Sequence, residues 1–250
     1  MSLLRTRGLT VTFGRVHPVR DVDLEVEAGG FVGLIGPNGA GKTTLIDAIT
    51  GFATPSDGIV ELDGTAITGL TPAARARRGL VRTFQSLELF EDLSVEDNLR
   101  VCAERPRWWD PMADAVRPRR ATGSQAAVDW ALEVMGLGDE RTQRPSDLSH
   151  GRRKLVAVAR ALALQPRLVL LDEPAAGLDT SETARLGERL RALPDHGVSV
   201  LLIDHDMGLV LGTCDWVVVL DVGAVIAAGT PDQVRKDDRV IEAYLGVPHR

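Results

Sequence analysis

The sequence predicts an α/β fold: a mostly parallel sheet with crossover helices, antiparallel β structure near the start, and a helical insertion in the middle. Three observations predict it. Phe31–Ile35, Val169–Leu171, Val198–Ile203 and Val217–Leu220 are short apolar runs without alternation, as suits strands covered on both faces. Helical patterns lie around and between them, at Lys42–Thr50, Ser181–Leu193 and Met207–Gly212, which is the rhythm of crossover connections. From about Ser86 to Leu148 the strand signals fade and helical ones dominate.

Taken in order, Leu9–Phe13 and Val22–Val26 alternate apolar and polar residues, the pattern of antiparallel strands with one buried face. Phe31–Ile35 is a buried strand that runs into a glycine-rich turn, and Lys42–Thr50 is the helix after it. Within the helical middle, Gln125–Met135 is the clearest periodic stretch, whereas Arg105–Arg120, rich in Pro, Arg and Trp, is an irregular excursion. Its Trp108-Trp109 pair either anchors a protein interface or packs under its own loop. Arg153–Leu164 is helical, and Pro231–Leu245 carries one or two short helices.

Composition narrows the function classes. The 250 residues are 44% hydrophobic and 26% charged, a globular balance, and a chain of this length buries enough surface to fold without a disulfide or structural metal. Cys102 and Cys214 form no CxxC pair, so neither a disulfide scaffold nor a zinc cluster is expected. The net charge of −6, without a basic run, excludes strong electrostatic affinity for nucleic acid or anionic lipid. The opening residues lack the apolar core of a signal peptide, and the most apolar stretch, Leu155–Leu171, is broken by Arg160, Gln165, Pro166 and Arg167. The expectation is a cytoplasmic protein that another protein must hold if it works at a membrane.

Gly36-Pro37-Asn38-Gly39-Ala40-Gly41-Lys42-Thr43-Thr44 fits GxxxxGK[ST]. Glycines let backbone N–H groups turn inward around phosphate oxygens, and the following helix points its N-terminus at the anion. Lys42 places a point charge on the outer phosphates, and the Thr43 hydroxyl is a Mg²⁺ ligand. Leu168–Leu171 is an apolar strand that ends in Asp172-Glu173. Asp172 at the tip is placed to hold Mg²⁺, often through water, and Glu173 to orient or deprotonate the water that attacks the γ-phosphate. A catalytic Glu aimed at water points to hydrolysis of ATP rather than transfer to an acceptor.

With these motifs in place, the chain resembles the ATP-binding cassette (ABC) family along nearly its whole length. Leu148-Ser149-His150-Gly151-Arg152 is similar to the family's signature, usually LSGGQ, and opens a helix shortly before the Asp172-Glu173 strand. Gln85, in Arg82-Thr83-Phe84-Gln85, resembles the Q-loop glutamine, which contacts Mg²⁺ or water. Ala176-Gly177-Leu178-Asp179 resembles the D-loop, and His205, in Ile203-Asp204-His205-Asp206, the switch histidine that holds the γ-phosphate. Phe13 stands where the family has the aromatic that stacks on adenine. Two departures stand out: His150 replaces the second signature glycine, and Arg152 replaces the glutamine with a positive charge.

The resemblance implies a P-loop NTPase (RecA-like) core with an antiparallel β subdomain and an inserted α-helical subdomain. The expected division of the single ABC ATPase domain is a nucleotide-binding core at 1–85 and 155–236, a helical signature subdomain at 86–154, and a short tail at 237–250. It also implies the cofactors ATP and Mg²⁺, and a catalytic set of Glu173, His205 and Lys42. Nucleotide contacts are expected from Phe13, Gly36 to Thr44, Gln85 and Asp179, and from Ser149 to Arg152 reaching the partner's nucleotide. Metal contacts are expected from Thr43, Gln85 and Asp172. Implied partners are a second ATPase subunit, identical or related, integral membrane permease subunits, and indirectly an extracytoplasmic solute-binding protein; the implied location is the inner face of the cell membrane.

Within the family, Arg82–Gln85, Ala175–Asp179, Asp204–Met207 and the ending Ala243-Tyr244-Leu245-Gly246 resemble importer subunits for branched-chain amino acids and related polar solutes such as urea. Lipid exporters and other importers share parts of these. The rival classes are a soluble ABC ATPase of translation or DNA repair and a nucleotide-binding regulator without turnover. One cassette, no sustained heptads, and intact Glu173 and His205 weigh against them.

Overall fold

Alternating side chains become the pleat of the first sheet. Strands β1 (Ser2–Phe13) and β2 (Val16–Glu27) pair antiparallel, with Leu4 opposite Val26 and Leu9 opposite Val22. Leu4, Leu9, Val11, Val19, Val22 and Val26 are all fully buried. The ladder shifts register between Thr6 and Leu9, and the buried Thr6 hydroxyl repairs the gap by donating to Val22 O and accepting from Leu24 N. Two further strands, β4 (Asp57–Leu62) and β5 (Thr65–Ala66), complete the sheet in the order β2-β1-β4-β5. These descriptions come from a computed structural model, which describes residues 1–104 and 122–245. Trp108 and Trp109 lie outside the described residues.

The second sheet carries the apolar runs. Its strands are β3 (Phe31–Ile35), β6 (Leu80–Arg82), β7 (Leu168–Asp172), β8 (Ser199–Ile203), β9 (Trp216–Asp221) and β10 (Ala224–Gly229), in the order β10-β9-β3-β8-β7-β6. All neighbours are parallel except the β9–β10 hairpin. Every residue of β3 and β8 is buried, as expected of strands covered on both faces. Helices α1 (Lys42–Thr50), α2 (Pro72–Arg77), α6 (Thr180–Arg191), α7 (Met207–Thr213), α8 (Pro231–Arg235) and α9 (Asp238–Leu245) belong to the same unit. That unit comprises Met1–Gln85 and Arg167–Arg250.

The second unit is Ser86–Pro166. Its helices are α3 (Val95–Ala103), α4 (Thr122–Met135) and α5 (His150–Leu162). It runs past residue 154 because α5 is one continuous helix, with Leu155, Val156, Val158, Ala159 and Leu162 buried along it. Ser94 caps α3 by accepting from Asp97 N, and the fully buried Asn98 satisfies the loop before it, donating to Phe90 O and Ser94 O and accepting from Phe90 N. Glu96 receives hydrogen bonds from Arg141, Gln125 and Arg100, which together hold its carboxyl at about 2, well below the usual carboxylate range. Among the described residues, no helix is long and apolar enough to cross a membrane.

Candidate nucleotide site

The glycine-rich turn leaves β3 between its two central neighbours and delivers the chain into α1. Two of its glycines are forced by space. A Cβ on Gly36 would lie 2.0 Å from Leu220 O, and one on Gly41 would lie 2.0 Å from Pro18 O. Gly41 is also the N-cap of α1 at φ 103, where side chains are strained. The loop is therefore bare backbone wrapped around a helix N-terminus, and Asn38, Gly39 and Thr43 are exposed on it. Lys42 Nζ donates to Gly36 O at 2.6 Å and to Pro37 O at 3.0 Å, so the ammonium lies across the loop mouth. Burial lowers its pKa, and the negative charge of Glu173 opposes that shift.

The carboxylate pair arrives on β7. Strand pairing sets Asp172 opposite Ile203 at the ends of β7 and β8. Asp172 N is bonded to the Thr83 hydroxyl, and its Oδ2 accepts from Arg82 at 2.7 Å. Glu173 follows at φ 47, the left-handed region that costs a non-glycine residue on the order of 1 kcal/mol or more. Its amide donates to Ile203 O at 2.7 Å, which fixes the turn that turns its side chain off the strand line.

Gln85 Nε2 donates to Glu173 Oε2 at 2.8 Å. His205 is 62% exposed at the end of β8, with Nδ1 4.0 Å from Glu173 Oε2 and 3.6 Å from Asp204 Oδ1, beyond hydrogen-bond length in both cases. Lys42, Gln85, Asp172, Glu173 and His205 thus share one end of the parallel sheet, beyond the carboxyl ends of its strands, where ligands bind in open α/β sheets. Asp204, on which sequence reasoning placed no role, is fully buried and accepts from Ala175 N and Asp206 N, holding both strand-end loops. The only signal for it was its position just before His205.

The remaining candidates divide. Phe13 is 59% exposed at the end of β1, so it is not a core residue and its ring is free to stack. Asp179 caps α6 in a reciprocal capping box with Glu182, and these hydrogen bonds lower its pKa. Ser149 to Arg152 lie in the second unit. Ser149 is the N-cap of α5, so the helix begins at His150 rather than at Arg153, and His150 is exposed while Gly151 is buried. Arg152 is occupied: its guanidinium is paired with Glu140 of the same unit.

Among the described residues, no three His, Cys, Asp or Glu side chains converge to hold a metal by themselves. Asp172 Oδ1 carries no hydrogen bond from them, and the Thr43 hydroxyl is exposed at the start of α1. One carboxylate and one hydroxyl, with phosphate oxygens from a nucleotide, is a hard-oxygen set that fits Mg²⁺.

A bare glycine loop over a helix N-terminus, closed by a lysine and faced by a strand-end carboxylate pair, defines the class of phosphate-loop nucleotide-binding α/β proteins. The chain belongs to the ABC transporter family, whose model matches residues 19–176, and it is an ABC transporter ATPase domain. A second model, described as branched-chain amino acid ATP-binding cassette transporter, matches residues 224–250. The high-affinity branched-chain amino acid transport ATP-binding protein BraF of Pseudomonas aeruginosa is 40% identical over 98% of both chains. Its counterpart LivG of Escherichia coli is 39% identical over the same shares. Among solved structures, the ADP conformation of the ATP-binding cassette MJ1267 matches with a TM-score of 0.86 at 30% identity, over 98% of this chain and 99% of that one.

Proposed function

We propose that the chain is the ATP-hydrolysing subunit of an importer for branched-chain amino acids or a related small polar solute, held by permease subunits at the inner face of the cell membrane. The amino-acid part is supported by the likeness to BraF and LivG along 98% of their length. The observation that carries the hydrolytic part is the setting of Glu173, lifted off the end of β7 by a left-handed turn and bonded by Gln85.

The residues then take these parts. Backbone N–H groups of the loop and Lys42 bind the phosphates, and Phe13 stacks on the adenine. Thr43 and Asp172, with Gln85, would hold Mg²⁺, which when bound supplies screening of the phosphate charge. Glu173 accepts a hydrogen bond from the attacking water and takes its proton. His205 is close enough to Glu173 for a modest side-chain rotation to bring both to the same water. Two cassettes meet head to tail, so that Ser149 and the N-terminus of α5 in one face the γ-phosphate held by the other. ATP binding favours the closed pair and hydrolysis releases it, a ligand-biased equilibrium that the permease reads.

The test begins with the membrane protein that co-purifies with this chain, reconstituted with it in vesicles together with the solute-binding protein and assayed for uptake of labelled leucine, isoleucine and valine. Glu173→Gln is expected to keep ATP affinity but lose turnover by about 10²–10⁴-fold, and uptake with it. Near-normal turnover removes Glu173 from the base role. Robust ATP hydrolysis with no uptake of any branched-chain amino acid overturns the amino-acid part and leaves a related small polar solute.

A further inference from the structure

Arg82 is the last residue of β6 and pairs in register with Leu170 of β7. Its side chain is only 7% exposed, yet it carries a full charge. One end of the guanidinium, Nη1, lies 2.5 Å from Asp47 Oδ1 on α1, and the other, Nη2, lies 2.7 Å from Asp172 Oδ2 at the tip of β7. Among the described residues the Nε–H has no partner, so every hydrogen bond that the guanidinium makes with them goes to these two carboxylates. Two exposed rings shelter it from water: its Cζ is 5.1 Å from the centre of Phe84 and 6.0 Å from that of Phe52, and the rings meet edge to face at 5.6 Å.

We propose that Arg82 is a positioning residue for the metal-holding carboxylate: its fork ties Asp172 to Asp47, a residue of the phosphate-loop helix, and occupies Oδ2 so that Oδ1 alone faces the metal. The inference rests on the reading of Asp172 given above. Three features distinguish a clamp from a chance ion pair. The planar fork presents two N–H groups at fixed spacing to acids on different elements, a geometry that a lysine ammonium does not impose. The Arg82–Asp172 arm is largely buried, at 7% and 13% exposed, so water screens it little, while Asp47 is 34% exposed. The third is what it joins: α1 begins at Lys42 and Thr43, so the clamp fixes the carboxylate relative to the element that also supplies the hydroxyl ligand. A carboxylate left to rotate would present either oxygen or both, a geometry that a small octahedral cation tolerates poorly.

Manganese titration of the protein–ADP complex, followed by electron paramagnetic resonance, reads the metal site without turnover. Arg82→Lys keeps the charge and loses the fork. It is expected to weaken manganese binding by about tenfold or more, while ADP affinity in EDTA stays within about twofold of wild type, as befits an outer-shell partner. Asp47→Ala releases the other end and weakens manganese binding by less; the double variant adds little to Arg82→Lys, because both break one clamp. Unchanged manganese affinity in Arg82→Lys overturns the proposal, as does an equal loss of metal-free ADP affinity, which would mean general damage, or full additivity in the double variant. If Arg82→Lys does not fold, Asp47→Ala decides, with unchanged manganese affinity again overturning it. If the wild-type complex binds ADP but no manganese, the assignment of Asp172 fails and this inference with it; if the variant alone is unaltered, only this inference fails.

Discussion

Helix α1 carries the phosphate loop at one end and is closed at the other by a buried arginine. Arg75 is 1% exposed; its guanidinium donates to Ala48 O at 2.7 Å, Ile49 O at 2.5 Å, Thr68 O at 2.6 Å and, through Nε, Leu70 O at 3.0 Å. Ala48 and Ile49 lie in the last turn of α1, whose carbonyls have no partner within the helix and carry the negative end of its dipole. Arg75→Met keeps length and removes the donors. Each buried acceptor left without a partner costs about 1–3 kcal/mol; the bonds to Ala48 O and Ile49 O are buried, and those to Thr68 O and Leu70 O partly so. Against that, a guanidinium is no longer stripped of water, which returns several kcal/mol. The net loss expected is about 3 kcal/mol, inside the range for a broken buried network. For a chain of this size that lowers the thermal midpoint by about 6–12 °C. The assay is thermal unfolding beside Arg77→Met, a change at an exposed arginine on the same helix. If the two variants lose the same amount, or Arg75→Met loses under about 1 kcal/mol, the capping argument is wrong.

Lys42→Ala is expected to weaken ATP binding by at least about tenfold, or ~1.4 kcal/mol, and unchanged affinity by calorimetry would count against the loop as a phosphate site. Gly41→Ala sets a methyl against Pro18 O and forces a left-handed alanine; expression with a lowered thermal midpoint and lost ATP binding is expected, and wild-type behaviour would contradict the packing. Glu96 titrates in the fold at about 2 against an ordinary 4.5, so its contribution is present above about pH 4.5 and drains away as the pH falls toward 2. The full displacement is worth about 3 kcal/mol, which solvent around the partly exposed Arg141 and Arg100 reduces to about 1–2 kcal/mol. Urea unfolding of Glu96→Gln should show that deficit at pH 7 and none near pH 2; a deficit independent of pH would refute it.

What could be read in the sequence was what local chemistry specifies. The loop from Gly36 to Thr44 and the strand into Asp172-Glu173 are contiguous, so their chemistry was visible before any fold. The apolar runs of β3, β7, β8 and β9 were equally plain, because burial on both faces leaves few polar residues to interrupt them. β4 was missed since it opens with Asp57-Gly58, a turn signal, and packs against β1 only in three dimensions. β6 was missed because it has only three residues. Arg75 and Arg82 were beyond sequence reasoning for a deeper reason: nothing local separates Arg75 from Arg77 and Arg78, and Arg82 gains its partners from residues 35 and 90 positions away. His150 and Arg152 were visible as departures, but that Arg152 would be held by Glu140 was not.

The strand order has a consequence for the order of events during synthesis. β3 ends at Ile35, yet the strands on either side of it, β8 and β9, start at Ser199 and Trp216. A growing polypeptide therefore makes its most recognisable segment early and cannot seat it until more than four-fifths of the chain has left the ribosome. Stalled translation products that stop short of β8 should expose that apolar strand without gaining affinity for nucleotide, and they are the species most in need of a chaperone.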